Sequence, residues 1–326
     1  MTDRTRVAVV GTGWWGRQHA RVFSSRKESQ LVAIVGRTEG KTAARATEFD
    51  VSGYVDMERM LGEARPDLVA VCLPNTEHFA PTMRLIEAGV PLFVEKPLAF
   101  DLGECDAMLA AAAERNLFFA INFNHRYAKP AVLAKQAIDA GRLGPFGFAT
   151  WRFGGEGRSD HHPHANLIET QCHGFDMLEW LCGPITSVAA EFGPVGTVVV
   201  ALRFASGAVG SLTGSYSSSY AYRGTHALEV NGAAGRVLVD DTVKRFTYQA
   251  AGSETAEVWE AGYFNDHERG FERTFDRHAA AMLKAFQSGG PPPVHARAGR
   301  RALELAEACI LSAETGRRVE VGACPA

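Results

Sequence analysis

A short apolar run, Val7-Ala8-Val9-Val10, empties directly into Gly11-Thr12-Gly13-Trp14-Trp15-Gly16 and then into a helical stretch. A glycine-rich turn in that position lets a dinucleotide pyrophosphate approach the N-terminus of a helix. Any one such match is weak, but this one follows a strand, precedes a helix and opens a βαβ unit of the expected length. The rest of the first third agrees with it. Apolar runs at 7–10, 31–35, 68–73, 91–94 and 117–121 alternate with Arg17 to Ser25, Lys41 to Phe49, Glu77 to Ala88 and Asp101 to Arg115. Each of those stretches is long enough for a crossover helix between parallel strands. An α/β Rossmann domain over residues 1–122 is expected.

After Asn122 the texture changes. Helices are expected from about Pro130 to Ala140 and from about Leu167 to Cys182, which stops at Gly183-Pro184. Strands dominate from 188 to 262, with turn signals such as Ser206-Gly207 and Asn231-Gly232 between them, and two helices follow at about 268–287 and 298–315. Meandering runs of this kind argue for a mostly antiparallel sheet, so residues 123–326 are expected to form a second α/β domain. The length of 326 residues suits two domains at roughly 150 residues each.

Composition narrows the partners. Lys plus Arg number 34 against 37 Asp plus Glu, a formal charge of -3, so no global field recruits nucleic acid or an anionic membrane. The start, Met1-Thr2-Asp3-Arg4, carries no apolar signal region, and no run approaches the ~20 apolar residues of a membrane span. A soluble, cytoplasmic protein is expected. The cysteines at 72, 105, 172, 182, 309 and 324 share no metal-ligand spacing and read as reduced, mostly buried thiols.

Four local patterns carry chemistry. Glu95-Lys96-Pro97 ends the apolar run Pro91-Leu92-Phe93-Val94, which places Lys96 at a strand C-terminus, where ligands bind in open α/β sheets. Proline fixes its own φ and tolerates a cis bond, so Pro97 can turn the chain and aim Lys96 at the nicotinamide side of the site. The acidic residue that accepts ribose hydroxyls in NAD-binding versions is absent after the second strand. Val35 is followed instead by Gly36-Arg37-Thr38, with Lys41 close behind. A guanidinium and a hydroxyl there suit a 2′-phosphate, which favours NADP(H) and leaves NAD(H) as the alternative. Trp14 and Trp15 either flank the cofactor or pack, and only their backbone amides are expected to matter.

In Asn166 to Asp176, Glu169, His173 and Asp176 fall at i, i+4 and i+7, on one helical face. Ile168, Cys172, Phe175 and Cys182 mark a neighbouring apolar stripe that packs inward, leaving the polar stripe on a cleft wall. His173 can then act as a general base or acid with a carboxylate tuning it. On the residues alone a structural role stands level with that one. Asn166 with Glu169 also has capping-box spacing, and Asp176 can hydrogen-bond locally. Asp160-His161-His162-Pro163-His164 has the composition of metal ligands, but Pro163 breaks helical spacing and no carboxylate or cysteine partner is obvious. A polar loop and no metal are expected there.

Taken together, Gly11 to Gly16, Asp67-Leu68-Val69-Ala70-Val71-Cys72-Leu73-Pro74-Asn75-Thr76-Glu77-His78, Glu95-Lys96-Pro97-Leu98-Ala99 and Glu169 to Asp176 give the chain a strong resemblance, over almost its whole length, to the Gfo/Idh/MocA oxidoreductases. The family takes its name from glucose-fructose oxidoreductase, inositol dehydrogenase and a rhizopine catabolism protein. The resemblance implies an N-terminal Rossmann domain joined to an α/β domain with a large open, mainly antiparallel sheet that often forms oligomer contacts. It places Leu73, Pro74, Asn75 and His78 on the nicotinamide half of the cofactor site, and Glu95 and Lys96 near the nicotinamide ribose and substrate. Lys96 would hydrogen-bond the reacting oxygen, and His173 resembles the family's proton-transfer histidine. Sugar and inositol dehydrogenases of the family often carry aspartate four residues before that histidine, where this chain has Glu169, one methylene longer.

The expected activity is thus an NAD(P)-dependent hydride transfer on a secondary alcohol or ketone of a sugar, cyclitol or glycoside. Asn124, Arg126, Tyr127, Arg152, Glu156, Arg158, Asp160 and His161 lie in segments that suit the substrate side, and their density of hydrogen-bonding groups suits a polyol. Two rivals remain at this level: a non-catalytic nucleotide-bound regulator, and an enzyme that oxidises transiently to cleave or epimerise a glycoside. Retention of both Lys96 and His173 speaks against the first. A homodimer or homotetramer is expected, because Val198, Val200, Leu202 and Phe204 give one strand an apolar face while Val199 and Ala201 make the other face apolar too.

Overall fold

The computed structural model of the chain describes residues 4–157, 161–262, 264 and 266–322. Arg158, Asp160 and Cys324 lie outside the described residues. The chain folds as two units, Met1–Phe123 with Phe275–Arg300, and Asn124–Thr274 with Arg301–Ala326.

In the first unit the strands β1 (Thr5–Val10), β2 (Ser29–Val35), β3 (Ser52–Tyr54), β4 (Leu68–Val71), β5 (Leu92–Val94) and β6 (Phe119–Ile121) make one sheet in the order β3-β2-β1-β4-β5-β6. Every pairing in it is parallel. Helices α1 (Trp14–Ser25), α2 (Glu39–Glu48), α3 (Met57–Ala64), α4 (Phe79–Glu87) and α5 (Leu102–Glu114) connect the strands. The middle strands are apolar at consecutive positions because both faces are covered. Val7, Ala8 and Val9 and all of Leu68 to Val71 have no exposed surface. Each such valine or leucine contributes about 1.5–3 kcal/mol by burial, which holds strands of three or four residues in place.

Residues 275–300 fall with this unit, whereas the sequence had put everything beyond 122 in the second domain. The edge strand β6 gives the reason. Its open backbone groups pair with residues 294–296: Ala296 N donates to Phe119 O at 2.9 Å and Ile121 N to Val294 O at 3.0 Å. Covering an edge in this way removes a row of unpaired donors and acceptors.

The second unit is built on a nine-stranded sheet. Its strands are β7 (Phe146–Gly154), β8 (Ile185–Phe192), β9 (Val198–Phe204), β10 (Val209–Ser215), β11 (His226–Gly232), β12 (Gly235–Asp240), β13 (Arg245–Ala250), β14 (Glu257–Glu260) and β15 (Val319–Glu320). The order is β14-β13-β12-β11-β7-β10-β9-β8-β15. The sheet is antiparallel except between β7 and β10. Helix α6 (Lys129–Asp139) packs on β12 and β13, and α7 (Cys172–Cys182) on β7. Helix α8 (Glu272–Gln287), most of which falls with the first unit, and helix α9 (Arg297–Thr315) precede β15. In β9 the alternation is complete: Val198, Val200, Leu202 and Phe204 are buried, while Val199 is 48% exposed.

The expected helix over 167–182 is two elements. Residues Asn166–Thr170 form a π-helical turn, and the α-helix begins only at Cys172. The wider turn takes Glu169 out of α-helical register with His173 and Asp176. Asn166 does not cap the helix; it donates to Gly196 O at 2.5 Å and accepts from Gln171. Among the described residues no helix is long and apolar enough to cross a membrane. The five described cysteines are buried thiols.

Candidate active site

The glycine turn sits where the strand order reverses, between the ends of β1 and β4. Gly11 has φ +127°, and a Cβ there would stand 2.1 Å from Cys72 O. A Cβ on Gly16 would stand 2.0 Å from Gly11 O. Both positions therefore exclude any larger residue, which brings the start of α1 hard against the strand ends. Gly13, the residue before α1, has nothing within 4 Å of its Cβ position and leaves its backbone open to a ligand. The result is a cleft of about 760 Å³ whose lining includes Gly11, Thr12, Gly13, Arg37, Thr38 and Asn75. Trp14, Trp15, Leu73 and Pro74 line it as well. A nucleotide-sized volume, a bare backbone and a helix N-terminus fit a dinucleotide. Trp15 stacks on Phe275 with ring centroids 5.3 Å apart, so its ring has a packing role.

Two residues are turned inward: His78, placed by resemblance on the nicotinamide half, and Glu95, placed near the nicotinamide ribose and substrate. His78 is 2% exposed, with its ring nitrogens 2.7 Å from Pro97 O and 3.0 Å from Leu73 O. It ties together the loops that leave β4 and β5. Burial pushes its imidazole down, against the pull of those two carbonyls. Glu95 is 4% exposed. Its Oε1 accepts from His19 Nε2 at 2.7 Å and from Asn122 Nδ2 at 2.7 Å, and Oε2 accepts from Lys96 N at 3.3 Å. Asn122 Oδ1 in turn accepts from His278 Nδ1 at 2.8 Å. Burial alone would raise the Glu95 carboxyl, but His19, the Lys96 charge and Asn122 together hold it below the usual carboxylate range. A buried, ionised carboxylate thus anchors the turn that carries half-buried Lys96, and the Lys96–Pro97 peptide is cis. Glu95 and His78 are supports of the strand-end loops. Their side chains gave no sign of this in the sequence, because an inward carboxylate needs its buried partners to be seen.

In the second unit, Glu169, His173 and Asp176 are all buried, at 8%, 5% and 5% exposure. Each is held by a different neighbour, where the sequence had them share an open polar stripe. Glu169 Oε1 lies 2.5 Å from His161 Nε2. Asp176 accepts two hydrogen bonds from Arg126, at 2.8 and 2.5 Å, in a fork geometry. Burial raises the Asp176 carboxyl, and the guanidinium opposes the rise. The His173 ring lies flat on His125 with centroids 4.0 Å apart. His125 was missed in the sequence; its place between Asn124 and Arg126, both singled out, was the available signal.

Other substrate-side expectations fare variously. Asn124 is buried and donates to Thr274 Oγ1 at 2.7 Å. Exposed Arg152 donates to Gly224 O at 2.7 Å, and the Glu156 carboxylate accepts from Tyr220 N at 3.2 Å. Burial pushes the Tyr127 phenol up to about 12. Lys96 belongs to the first unit, and Glu169 and His173 to the second. Among the described residues no group of three or more His, Cys, Asp or Glu is arranged to hold a metal.

A parallel sheet in this strand order, with a glycine-floored cleft at its switch point and a lysine at a strand end, defines a nucleotide-binding Rossmann protein with a second α/β unit. Comparison with known proteins makes the class specific. The oxidoreductase family with NAD-binding Rossmann fold matches residues 5–123, and the C-terminal alpha/beta domain of that family matches residues 135–321. The chain belongs to this oxidoreductase family. It is 26% identical over 338 residues to the myo-inositol 2-dehydrogenase of Thermotoga maritima, covering 97% of this chain and 98% of that protein. Identity to inositol 2-dehydrogenase 1 of Saccharopolyspora erythraea is 28% over 335 residues, with 97% and 96% coverage. Among solved structures, levoglucosan dehydrogenase in complex with NADH and L-sorbose matches with a TM-score of 0.88 at 20% identity, over 98% of this chain and 100% of that one. That likeness is one of fold.

Proposed function

We propose that the protein is a dehydrogenase or ketone reductase that moves a hydride between a nicotinamide cofactor and a secondary alcohol or ketone of a sugar, cyclitol or glycoside. The observation that carries this reading is Lys96, set at the end of β5 on a turn anchored by the buried Glu95 carboxylate. Inositol dehydrogenases among the relatives support the polyol class. When bound, the nicotinamide supplies the hydride acceptor or donor. In oxidation His173 takes the hydroxyl proton, and Lys96 donates to the oxygen as negative charge develops there. In reduction the same two groups return the proton and polarise the carbonyl. Glu169, with His161, and Arg152 contact the substrate, while Asn124 and Arg126 hold that region through Thr274 and Asp176.

The cofactor is NADP(H) in this reading. Arg37, Thr38, Lys41 and Arg45 all line the cleft where β2 ends, and no acidic residue ends that strand. Arg37 is 72% exposed and paired with Glu77 at 2.7 Å, so a 2′-phosphate would compete with a weak surface contact. Five buried cysteines that remain thiols suit a reducing, cytoplasmic setting.

The test is NADPH formation on a panel of cyclitols and sugars. Lys96→Ala and His173→Ala are each expected to fold and bind NADPH normally while turnover falls by about a hundredfold. Near wild-type turnover in either variant removes that residue from the mechanism.

A further inference from the structure

We infer that His125 is a positioning residue for His173, a role that rests on His173 being the proton-transferring group. The two rings are stacked, with centroids 4.0 Å apart and planes 13° apart. His125 itself is 2% exposed. Trp151 at 6.2 Å, Phe153 at 5.6 Å and Phe271, edge-on at 5.6 Å, surround it. A ring enclosed this way is kept from the substrate and acts through its neighbour.

The neighbouring residues tie the same two elements together. Arg126, next in the 3-10 turn Asn124–Tyr127, grips Asp176 on the helix that carries His173. The turn and the helix are therefore joined twice, by an ion pair and by a ring stack. An imidazole has a broad, roughly two-fold χ2 well. A flat partner on one face narrows it and fixes where the edge nitrogens point.

The experiment compares three variants in steady-state turnover, using NADP+ and the polyol that wild type oxidises best in the panel. His125→Ala and His125→Gln remove the ring and are expected to lower kcat by about tenfold, with KM and NADPH affinity within about twofold. His125→Phe keeps a ring in the stack and is expected to recover kcat to within about threefold of wild type. A spectroscopic readout needs no substrate: the ring-current shift of the His173 Hε1 resonance should persist in His125→Phe and vanish in His125→Gln. Wild-type kcat in His125→Gln, or a His125→Phe as slow as His125→Gln, overturns the inference. If His173→Ala keeps its turnover, the proton-transfer reading fails instead, and the ring-current signature of the stack stands unaffected.

Discussion

Glu95 shows at the scale of one residue how a buried charge supports a half-buried one. Its carboxylate accepts from His19 and Asn122, and both of those donors are themselves buried. Glu95→Ala leaves them without an acceptor, at about 1–3 kcal/mol each. Glu95→Gln keeps one acceptor oxygen for His19 and Asn122, and loses the charge and the second acceptor that Lys96 N uses. Urea denaturation at pH 7 should therefore rank wild type above Glu95→Gln above Glu95→Ala; an alanine variant as stable as wild type would mean these bonds contribute nothing net. The pH dependence has a defined sign. Because the folded carboxyl lies below its unfolded value of about 4.3, its contribution is present above that pH and is lost as pH falls through the folded value. Arg37 is the second test at this scale. A charge-assisted contact of about 1.5–3 kcal/mol predicts roughly ten- to a hundredfold tighter NADPH than NADH. Titration of both reduced cofactors against wild type and Arg37→Ala checks it, and equal affinities in wild type refute it. What sequence could say of single residues depended on backbone demands. Gly11 and Gly16 were legible because a Cβ cannot fit there, and Pro97 because it turns the chain. The partners His19 and Asn122 of Glu95, and His125 of His173, come from distant segments, and no local spacing encodes them.

Elements were legible in proportion to their burial. The apolar runs gave β1, β2, β4, β5 and β6 to within a few residues, since strands buried on both faces leave continuous hydrophobic runs. The missed strand β3 has three residues, two of them exposed, and α3 after it has eight; so little buried surface leaves no readable pattern. Strand β7, at the middle of the second sheet, was also passed over, its run broken by Gly147 and Arg152. Its neighbour β11 carries a pH-sensitive contact. His226 Nε2 donates to Gly154 O and Thr242 Oγ1 donates to Nδ1, both at 3.0 Å, so the neutral ring is satisfied. Burial pushes this imidazole down to about 4. Below about pH 6.5 the unfolded chain takes up a proton there that the folded chain refuses. Stability should decline as pH falls from about 6.5 to about 4, by about 3 kcal/mol at most. His226→Gln should flatten that decline in melts across this range, and an unchanged profile would assign it to other groups.

At the scale of the molecule, the second unit is a sheet with helices on one face. Val199, Val209 and Phe148 are 48%, 52% and 38% exposed on the strands at its centre, although each belongs to a strand whose alternate residues are buried. Sequence alternation announced both faces of β9 as apolar, and a single chain covers only one of them. Val199, Val209 and Phe148 form, with Ala201, an exposed apolar patch set among Arg152, Arg203 and Thr150, and such a patch marks a protein–protein contact. A second copy laid sheet on sheet would cover it, and the closed symmetry of such contacts makes a homodimer or homotetramer the product. Light scattering at micromolar concentration should therefore return at least twice the chain mass of 35.2 kDa. Substituting Val199 and Phe148 together by lysine should lower that mass toward one chain, because charges directed into an apolar contact disfavour it. A wild type that runs as a single chain would leave this face open to solvent and overturn the prediction.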